Sequence, residues 1–237
     1  GLQVVEPKMQ SRRTPSTSLV DEARVYGRDA DKEKIIKMLL SESANGVNFT
    51  VISIVGLGGI GKTTLAQLIY KDKRVQNHFP TKAWVCISED YDAARITKEF
   101  LGELNMSVPD LNENLNSLQV KLQLELTGKK FLVVLDDYWN RDYNEWDRFK
   151  VLFTGAMQGS KIIVTTRDEK IALMMCKKES IYSLDLIAEE DCWSLFEKHA
   201  FENKDGDHSP ELEDIGKKIV KKCARLPLAV KTVAGLL

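Results

Sequence analysis

The sequence has little cysteine, and its cysteines follow no metal or disulfide pattern. The four cysteines form no Cys-x-x-Cys pair and no cluster with histidine, which argues against a structural zinc site and a disulfide framework. Long hydrophobic runs are also lacking: none approaches the roughly 20 residues that a membrane-spanning helix needs. The start of the chain has no signal-peptide pattern. We therefore expect reduced thiols, no membrane segment and a cytoplasmic setting.

An excess of charge of either sign is missing as well. The 34 Lys and Arg residues nearly balance the 35 Asp and Glu residues, which gives a formal net charge of -1. Such a balance excludes the broad positive field that marks many nucleic-acid-binding proteins and argues against a nucleic-acid partner. The hydrophobic content of 43% is ordinary for a folded protein, and 237 residues suffice for one or two domains.

Apolar runs of strand length alternate with helical patterns through most of the chain. The polar residues 1–21, with the segment SRRTPSTS, are predicted to form a linker. The predicted strands are the start of VISIVGLGG, which begins at Val51, then Ala83–Ser88, Phe131–Asp137, Lys161–Thr166 and, more weakly, Ser180–Leu186. Most of these runs are apolar throughout, as expected of strands buried on both faces, and helical patterns separate them. This alternation predicts an α/β fold with a parallel sheet covered by helices on both sides.

After Leu186 the pattern changes to helices only. Three amphipathic stretches follow, within residues 188–201, 209–224 and 226–237. We therefore predict an α/β domain over residues 22–187 and a small all-helical domain over residues 188–237. The chain begins without methionine and stops within an apolar run, so we expect it to be a piece of a longer protein.

The stretch GLGGIGKT, Gly56–Thr63, fits the phosphate-binding loop pattern G-x-x-x-x-G-K-[ST]. Glycines let the backbone curl so that its N–H groups point inward, and the following helix adds its positive end. Lys62 would reach the β and γ phosphates, the Thr63 hydroxyl would take a magnesium position, and Thr64 would lie near the α phosphate. The predicted backbone cradle consists of Gly58, Gly59, Ile60 and Gly61.

The run FLVVLDDYW supplies the acidic element that such a loop requires. It places Asp136 at the carboxyl end of a buried strand, where ligands of open α/β sheets collect. Asp136 is predicted to hold magnesium, and Asp137 to orient or deprotonate the attacking water. The alternative from the residues alone is that both carboxylates cap the following turn.

The run KIIVTTR ends a third buried strand in Arg167. An apolar strand intervenes between the phosphate loop and the acidic strand, which favours the P-loop subclass in which the later strand inserts between those two. Arg167 would then lie beside the γ phosphate and distinguish a triphosphate from a diphosphate. The alternative is a surface arginine that pairs with Asp168 or Glu169. Lys62, Asp137 and Arg167 form the predicted catalytic group.

In this combination the chain resembles the NB-ARC module of plant NBS-LRR disease-resistance proteins, within the STAND class of P-loop NTPases. The motifs that carry the resemblance are VYGR, GLGGIGKTT, FPTKAWVCIS, KKFLVVLDDYW, GSKIIVTTRDEKIA, YSLDLIAEEDCWSLFEKHAF and CARLPLAV. Trp139 after LDDY and the AWVCIS strand are similar to the coiled-coil class of these receptors. The resemblance implies that Val25, Tyr26 and Arg28 line the adenine end of the pocket. It also implies that Pro227 packs against the nucleotide from the helical part.

The resemblance further implies a plant defence function with ADP or ATP and Mg²⁺ as cofactors. The protein would be a switch that holds ADP at rest and ATP when active, with slow hydrolysis resetting it. Its partners would be coiled-coil, winged-helix and leucine-rich-repeat domains that this sequence does not contain, and an oligomer would form on activation. The chain departs from the family pattern at Arg225, where glycine usually precedes LPLA.

Three other functions compete with the switch. A small-molecule kinase would need an arginine-rich lid, which we do not find. A GTPase would need Asn-Lys-x-Asp, and the nearest match, NKDG at Asn203, has its aspartate one position early. The serious rival is a non-enzymatic interaction module in which a trapped ADP is only structural.

Overall fold

The parallel sheet is built from five strands that are mostly buried. A computed structural model describes residues 15–42, 46–87, 91–104, 113–201 and 210–236. Residues 1–14 of the predicted linker and the NKDG segment lie outside the described residues. The strands are β1 (Phe49–Val55), β2 (Thr81–Cys86), β3 (Phe131–Asp136), β4 (Ser160–Thr166) and β5 (Ile181–Ser183). Every pair of neighbouring strands is parallel, and the order across the sheet is β2-β3-β4-β1-β5.

This strand order confirms that β4 inserts between the phosphate-loop strand β1 and the acidic strand β3. Because parallel strands end at the same edge of a sheet, the carboxyl ends of β1, β3 and β4 meet there. The last strand is shorter than the predicted run to Leu186. Ser183 already pairs with Val55, the final residue of β1. Beyond Val55 the chain turns into the glycine loop, so a longer β5 would have no partner.

Helices connect the strands and continue after the sheet. They are α1 (Asp29–Leu40), α2 (Lys62–Lys71), α3 (Lys73–His78), α4 (Ala93–Glu103), α5 (Leu115–Leu126), α6 (Tyr143–Lys150), α7 (Glu169–Met175), α8 (Glu189–Ala200), α9 (Pro210–Lys222) and α10 (Pro227–Ala234). In the described part of the chain, none of them combines the length and the apolar character needed to cross a membrane.

Successive residues of a central strand point to opposite faces of the sheet and pack into different hydrophobic cores. Ile162 and Val164 belong to a core with residues of α4, α5 and α6, whereas Ile163 between them joins residues of α1, α2 and α3. Since both faces are covered, the central residues of these strands are apolar in succession, such as Ile162, Ile163 and Val164 in β4, rather than at alternate positions. The P-loop α/β fold predicted from the sequence is confirmed.

The helices at the carboxyl end share a third hydrophobic core. It contains Ile187, where we placed the boundary, together with buried residues of α8, α9 and α10 such as Phe196, Val220 and Val230. Tyr26, from the segment before α1, packs against this core as a partly buried neighbour. The division into domains at this boundary stays a prediction.

Candidate nucleotide-binding site

The glycine loop joins β1 to α2 at the carboxyl edge of the sheet. Gly59 and Gly61 have φ angles of +77° and +102°, in the left-handed region that glycine adopts without strain. Between them, Ile60 is buried with 2% of its surface exposed and anchors the loop in the core. Helix α2 begins at Lys62, so its first N–H groups lie at the loop, where a helix N-terminus favours anions.

Lys62 is buried, with only 7% of its surface exposed. Its ammonium donates hydrogen bonds to the carbonyl oxygens of Gly56 at 2.8 Å and Leu57 at 3.0 Å. The long side chain therefore folds back over the start of the loop and places its positive charge there. Thr64 follows in the first turn of α2 and is partly buried.

Asp136, the last residue of β3, lies directly opposite the start of α2. It is 1% exposed, and the Thr63 hydroxyl donates to both of its carboxylate oxygens at 3.0 Å. A carboxylate and a hydroxyl at this separation are oxygen ligands of the kind that Mg²⁺ takes in phosphate sites. The donor set at this position therefore fits magnesium.

Thr165 is a site residue to which the sequence analysis gave no role. Its hydroxyl donates to Asp136 Oδ1 at 2.5 Å and accepts the backbone N–H of Asp137 at 2.9 Å. In the parallel register Leu135 pairs with Val164, so Thr165 is the next residue along and stands beside Asp136. Thr165 is the first polar residue after the apolar run Ile162–Val164, and that position was the signal that could have found it.

Asp137 and Arg167 face each other across the same edge. Arg167 Nε lies 4.0 Å from Asp137 Oδ1, and the Arg167 guanidinium stacks on the Trp139 ring at 4.9 Å. A Cβ at Gly58 would come within 2.7 Å of Arg167 Nη1, so the guanidinium also touches the phosphate loop. Asp137 has a φ of 54°, an unusual backbone for a residue other than glycine and one often found at functional sites.

Asp168 does not form the salt bridge considered as the alternative for Arg167. Its carboxylate pairs with Arg141 at 2.5 Å. The backbone N–H of Lys170 is the main cause that lowers the Asp168 pKa, and Arg141 lowers that pKa further. The stacking of Arg167 on Trp139 and its approach to Gly58 direct it toward the loop.

Arg28, from the VYGR motif, is 4% exposed and is bonded to the phosphate loop itself. Its guanidinium donates to the Ile60 carbonyl at 2.6 Å, to the Asp185 carbonyl at 2.9 Å and to the Asp31 carboxylate at 2.9 Å. The Tyr182 hydroxyl also donates to Asp31, at 2.5 Å. Burial raises the pKa of the Tyr182 phenol, and this hydrogen bond raises it further. Arg28 therefore ties the loop to α1 and to the segment after β5.

Two of the other VYGR residues, Tyr26 and Gly27, lie against the helical end. Val25 and Tyr26 are partly buried, and Tyr26 contacts the core of α8–α10. Gly27 has a φ of +68°, and a Cβ there would lie 2.4 Å from Asp191 Oδ2 in α8. Any other residue would strain this backbone and would have to push the Asp191 side chain aside.

Helix α10 meets the phosphate loop at its first turn. Pro227 is the first residue of the helix, as its fixed φ and missing N–H favour. The N–H of the next residue, Leu228, donates to the Gly59 carbonyl at 3.1 Å. The structure thus brings Pro227 and the glycine loop together. Leu228, which the sequence analysis did not single out, makes the direct contact.

The predicted linker also reaches the site. The Ser16 hydroxyl donates to Asp136 Oδ2 at 2.6 Å. Nothing in the composition of SRRTPSTS marks this residue, because a Ser/Thr/Pro stretch has the same appearance in a solvated linker.

A family model and individual plant proteins that resemble this chain indicate the same family. The NB-ARC domain family matches residues 28–206. Disease resistance RPP13-like protein 1 of Arabidopsis thaliana is 44% identical over 239 residues, which cover 100% of this chain and 22% of that protein. Disease resistance protein RGA2 of Solanum bulbocastanum is 41% identical over 229 residues, which cover 96% of this chain and 23% of that protein. The chain therefore spans less than a quarter of the length of these relatives.

Solved structures with the same fold share little sequence with the chain. The ORC1 protein of Aeropyrum pernix, solved in complex with DNA, has a TM-score of 0.65 at 14% identity and covers 89% of this chain and 59% of that one. A signal transduction ATPase with numerous domains from Pyrococcus horikoshii, with a tetratricopeptide repeat sensor, has a TM-score of 0.53 at 20% identity. It covers 87% of this chain and 29% of that one. The family match and the two plant relatives together place the chain in the NB-ARC domain family.

Proposed function

We propose that the chain is the ADP/ATP-binding switch region of a plant immune receptor, reset by slow ATP hydrolysis. The observation that carries this proposal is the hydrogen bond from Leu228 N–H to the Gly59 carbonyl. It places the first turn of α10 on the loop that would hold the phosphates. A nucleotide bound there would contact both the sheet and the helical end of the chain.

The phosphate end of the nucleotide would be bound by the loop backbone, by the first turn of α2 and by the Lys62 ammonium. Thr63 and Asp136 would hold magnesium, and the ion, when bound, would neutralise charge on the phosphate oxygens. Asp137 would orient the attacking water, and Arg167 would stabilise the charge that develops on the γ phosphate. The approach of Arg167 to both Asp137 and Gly58 supports this assignment.

The adenine end would lie between the VYGR segment and α10. Val25, Tyr26 and Pro227 are the proposed contacts, and their partial burial leaves surface for a ligand. Arg28 would support the site indirectly by holding the phosphate loop in place, since its guanidinium already donates to the Ile60 carbonyl of the loop. We infer that residues 188–237 act as a separate domain that closes this end.

Two-sided contact is what a nucleotide-dependent switch needs. A ligand shifts a conformational equilibrium only through contacts that differ between the two states. Arg167 on the sheet side would respond to the γ phosphate, while Pro227 and Leu228 on the helical side would sense the position of the loop. ATP and ADP would therefore favour different placements of α10.

The rest of the receptor supplies the proposed partners. The relatives are more than four times the length of the matched region, since this chain covers 22% of one and 23% of the other. We propose that coiled-coil, winged-helix and leucine-rich-repeat domains of the same polypeptide contact this region in the cytoplasm. In the activated state the receptor would form an oligomer.

A second candidate is a non-enzymatic module that retains a structural ADP. The contact of α10 with the loop favours this candidate too, because a loop covered from the helical side would release a bound nucleotide slowly. The two functions differ in turnover: the switch exchanges and hydrolyses ATP slowly, whereas the module does neither.

The deciding experiment starts with the purified protein, denatured, and identifies the released nucleotide and its stoichiometry by chromatography. Near-stoichiometric ADP supports a closed adenine nucleotide site. Exchange against labelled ATP, followed by measurement of labelled ADP over hours, then separates the switch from the module. Protein that releases no nucleotide and binds none in an ATP titration contradicts both.

A further inference from the structure

Ser16 lies 120 residues before Asp136 in the sequence and shares a hydrogen bond with it. The Ser16 hydroxyl donates to Asp136 Oδ2 at 2.6 Å, and Ser16 is partly buried. The other carboxylate oxygen, Oδ1, accepts the Thr165 hydroxyl at 2.5 Å. Ser16 and Thr165 therefore hold the carboxylate from its two sides.

The segment around Ser16 is fastened to the helix that carries the phosphate-loop residues. We call residues 15–22 the strap. Gln67 Nε2 in α2 donates to the Thr17 carbonyl at 2.5 Å, and Lys71 Nζ donates to the Val20 carbonyl at 3.5 Å. Lys71 also pairs with Glu22 at 3.2 Å. Because Gln67 and Lys71 are four residues apart, they lie on one face of α2, and the strap follows that face.

A tryptophan fixes the direction of the Ser16 hydroxyl. Trp84 Nε1 lies 3.4 Å from Ser16 Oγ and donates to it, and Trp84 is only 5% exposed. An indole N–H can only donate, so it uses the acceptor side of the serine oxygen. The serine proton is then directed to Asp136, whose ionised carboxylate can only accept.

We propose that Ser16 is a positioning residue for the magnesium-binding carboxylate of Asp136, and that the strap brings this one residue to the nucleotide site. The proposal rests on the proposed function, because Asp136 acts on magnesium only if the site binds a nucleotide with that ion. Hydrogen bonds to an ionised group are stronger than neutral ones, and here each of two hydroxyls restrains a different oxygen of one carboxylate. Loss of Ser16 would leave the carboxylate restrained by Thr63 and Thr165 alone.

The test compares Ser16→Ala with the parent in the whole 237-residue chain. ATP affinity is measured by calorimetry with Mg²⁺ and again with EDTA, after removal of any bound nucleotide. We expect Ser16→Ala to weaken ATP binding in Mg²⁺ by about tenfold, the usual effect of one hydrogen bond to a charged group. Affinity in EDTA should stay the same, since Lys62 and the loop backbone do not depend on Ser16.

Three further variants separate positioning from a general structural effect. Ser16→Thr keeps the hydroxyl and should restore the parent affinity. Ser18→Ala makes the same chemical change two residues along the strap and should have no effect. Gln67→Ala removes the bond to the Thr17 carbonyl without changing Ser16, and should weaken Mg²⁺-dependent binding by a smaller factor.

Several results overturn the proposal. An equal loss in Mg²⁺ and in EDTA means that the strap only stabilises the loop. Unchanged affinity means that Ser16 does not position Asp136, and tighter Mg²⁺-dependent binding means that the strap competes with the ion. A parent chain that binds no ATP in either condition overturns the proposed function together with this inference, whereas the other failures appear only in the variant.

Discussion

The backbone N–H of Leu228 donates to the carbonyl oxygen of Gly59 at 3.1 Å, and this bond joins helix α10 to the phosphate loop. The Leu228 side chain also packs close to the Gly59 backbone, since a Cβ added at Gly59 would lie 2.8 Å from the Leu228 Cβ. The shape of the loop and the position of α10 therefore depend on each other. Any change that moves one should be measurable at the other.

Replacing Gly59 with alanine should destabilise the protein and weaken nucleotide binding. An alanine at a φ of +77° strains the backbone, which should lower the free energy of unfolding by about 1–2 kcal/mol. Its methyl group also collides with the Leu228 side chain, and this overpacking should cost about a further 1–3 kcal/mol. Urea unfolding measures the stability, and ADP titration measures the binding.

Gly128→Ala is the matched control for this change. Gly128 has a φ of +71°, and a Cβ there meets nothing within 4 Å. It should show only the backbone cost and normal ADP affinity. Equal losses in the two variants would mean that contact with α10 has no role.

Replacing Asp136 with asparagine should abolish the magnesium dependence of ATP binding. The amide carries no charge and turns one acceptor into a donor, which then faces the hydroxyl of Ser16 or Thr165. We expect ATP affinity in Mg²⁺ to fall at least about tenfold, to the level seen in EDTA, where parent and variant should agree.

Asp142→Asn controls for the same chemical change elsewhere. Asp142 caps α6 by accepting the Asn144 N–H at 2.8 Å, and asparagine caps helices equally well. ATP binding should therefore keep its magnesium dependence. If Asp136→Asn behaves like this control, Asp136 does not hold the ion.

Much of the site could be predicted because its signals are local. The glycine spacing before Lys62 is typical of a backbone that curls to point its N–H groups at a phosphate, and a buried strand that ends in Asp136 must present the carboxylate at the sheet edge. The placement of β4 between β1 and β3 also followed from the order of apolar runs, and it brings Arg167 to the loop. These inferences use spacing and burial, which a sequence displays directly.

The contacts that were not predicted join distant segments through single polar groups. Arg28 bonds the Asp185 carbonyl 157 residues away, and Ser16 bonds Asp136 from within a polar stretch. Neither has a period or a spacing that distinguishes it from a solvated side chain. Such contacts depend on how the elements pack, so only the folded arrangement reveals them.

Replacing Arg167 with lysine should remove discrimination between ATP and ADP. The planar guanidinium stacks on Trp139 at 4.9 Å and lies 4.0 Å from Asp137, a geometry that a lysine ammonium cannot reproduce. We expect ATP affinity to fall about tenfold while ADP affinity stays within about twofold of the parent, since ADP lacks the γ phosphate.

Arg141→Lys is the control for Arg167→Lys, because Arg141 pairs with Asp168 and its side chain is 75% exposed. It should change neither affinity, as expected of a surface ion pair. A parallel fall in ATP and ADP affinity for Arg167→Lys would assign Arg167 to the fold of the loop rather than to the γ phosphate.

Arg225 stands where the resemblance to the NB-ARC family leads us to expect glycine, and its backbone conformation is one that favours glycine. Its φ is 59°, in the left-handed region, while its guanidinium donates to the Ile187 carbonyl at 2.7 Å and to the Leu186 carbonyl at 3.4 Å. Arg225→Ala keeps the backbone strain and loses the hydrogen bonds, so it should destabilise the protein by about 1 kcal/mol.

Arg225→Gly also loses the hydrogen bonds but relieves the strain. It should therefore be more stable than Arg225→Ala by about 1 kcal/mol. Urea unfolding of both variants measures this difference. Equal stability of the two would show that the φ angle costs nothing at this position.

His78 should make stability depend on pH through its contact with Lys130. Its Nε2 lies 2.7 Å from Lys130 Nζ, so a neutral imidazole accepts from the ammonium, whereas an imidazolium cannot accept and is repelled. Burial lowers the His78 pKa below 6.5, and Lys130 and Lys161 lower it further. The unfolded chain therefore takes up the proton first, so this contribution is fully present above about pH 6.5 and is lost as the pH falls through the folded-state pKa.

His78→Gln should flatten the fall in unfolding free energy between about pH 7 and pH 5 by about 1 kcal/mol, roughly the contribution of one hydrogen bond. Parent and variant curves that stay parallel over this range, measured by urea unfolding, would show that His78 titrates alike in the folded and unfolded states.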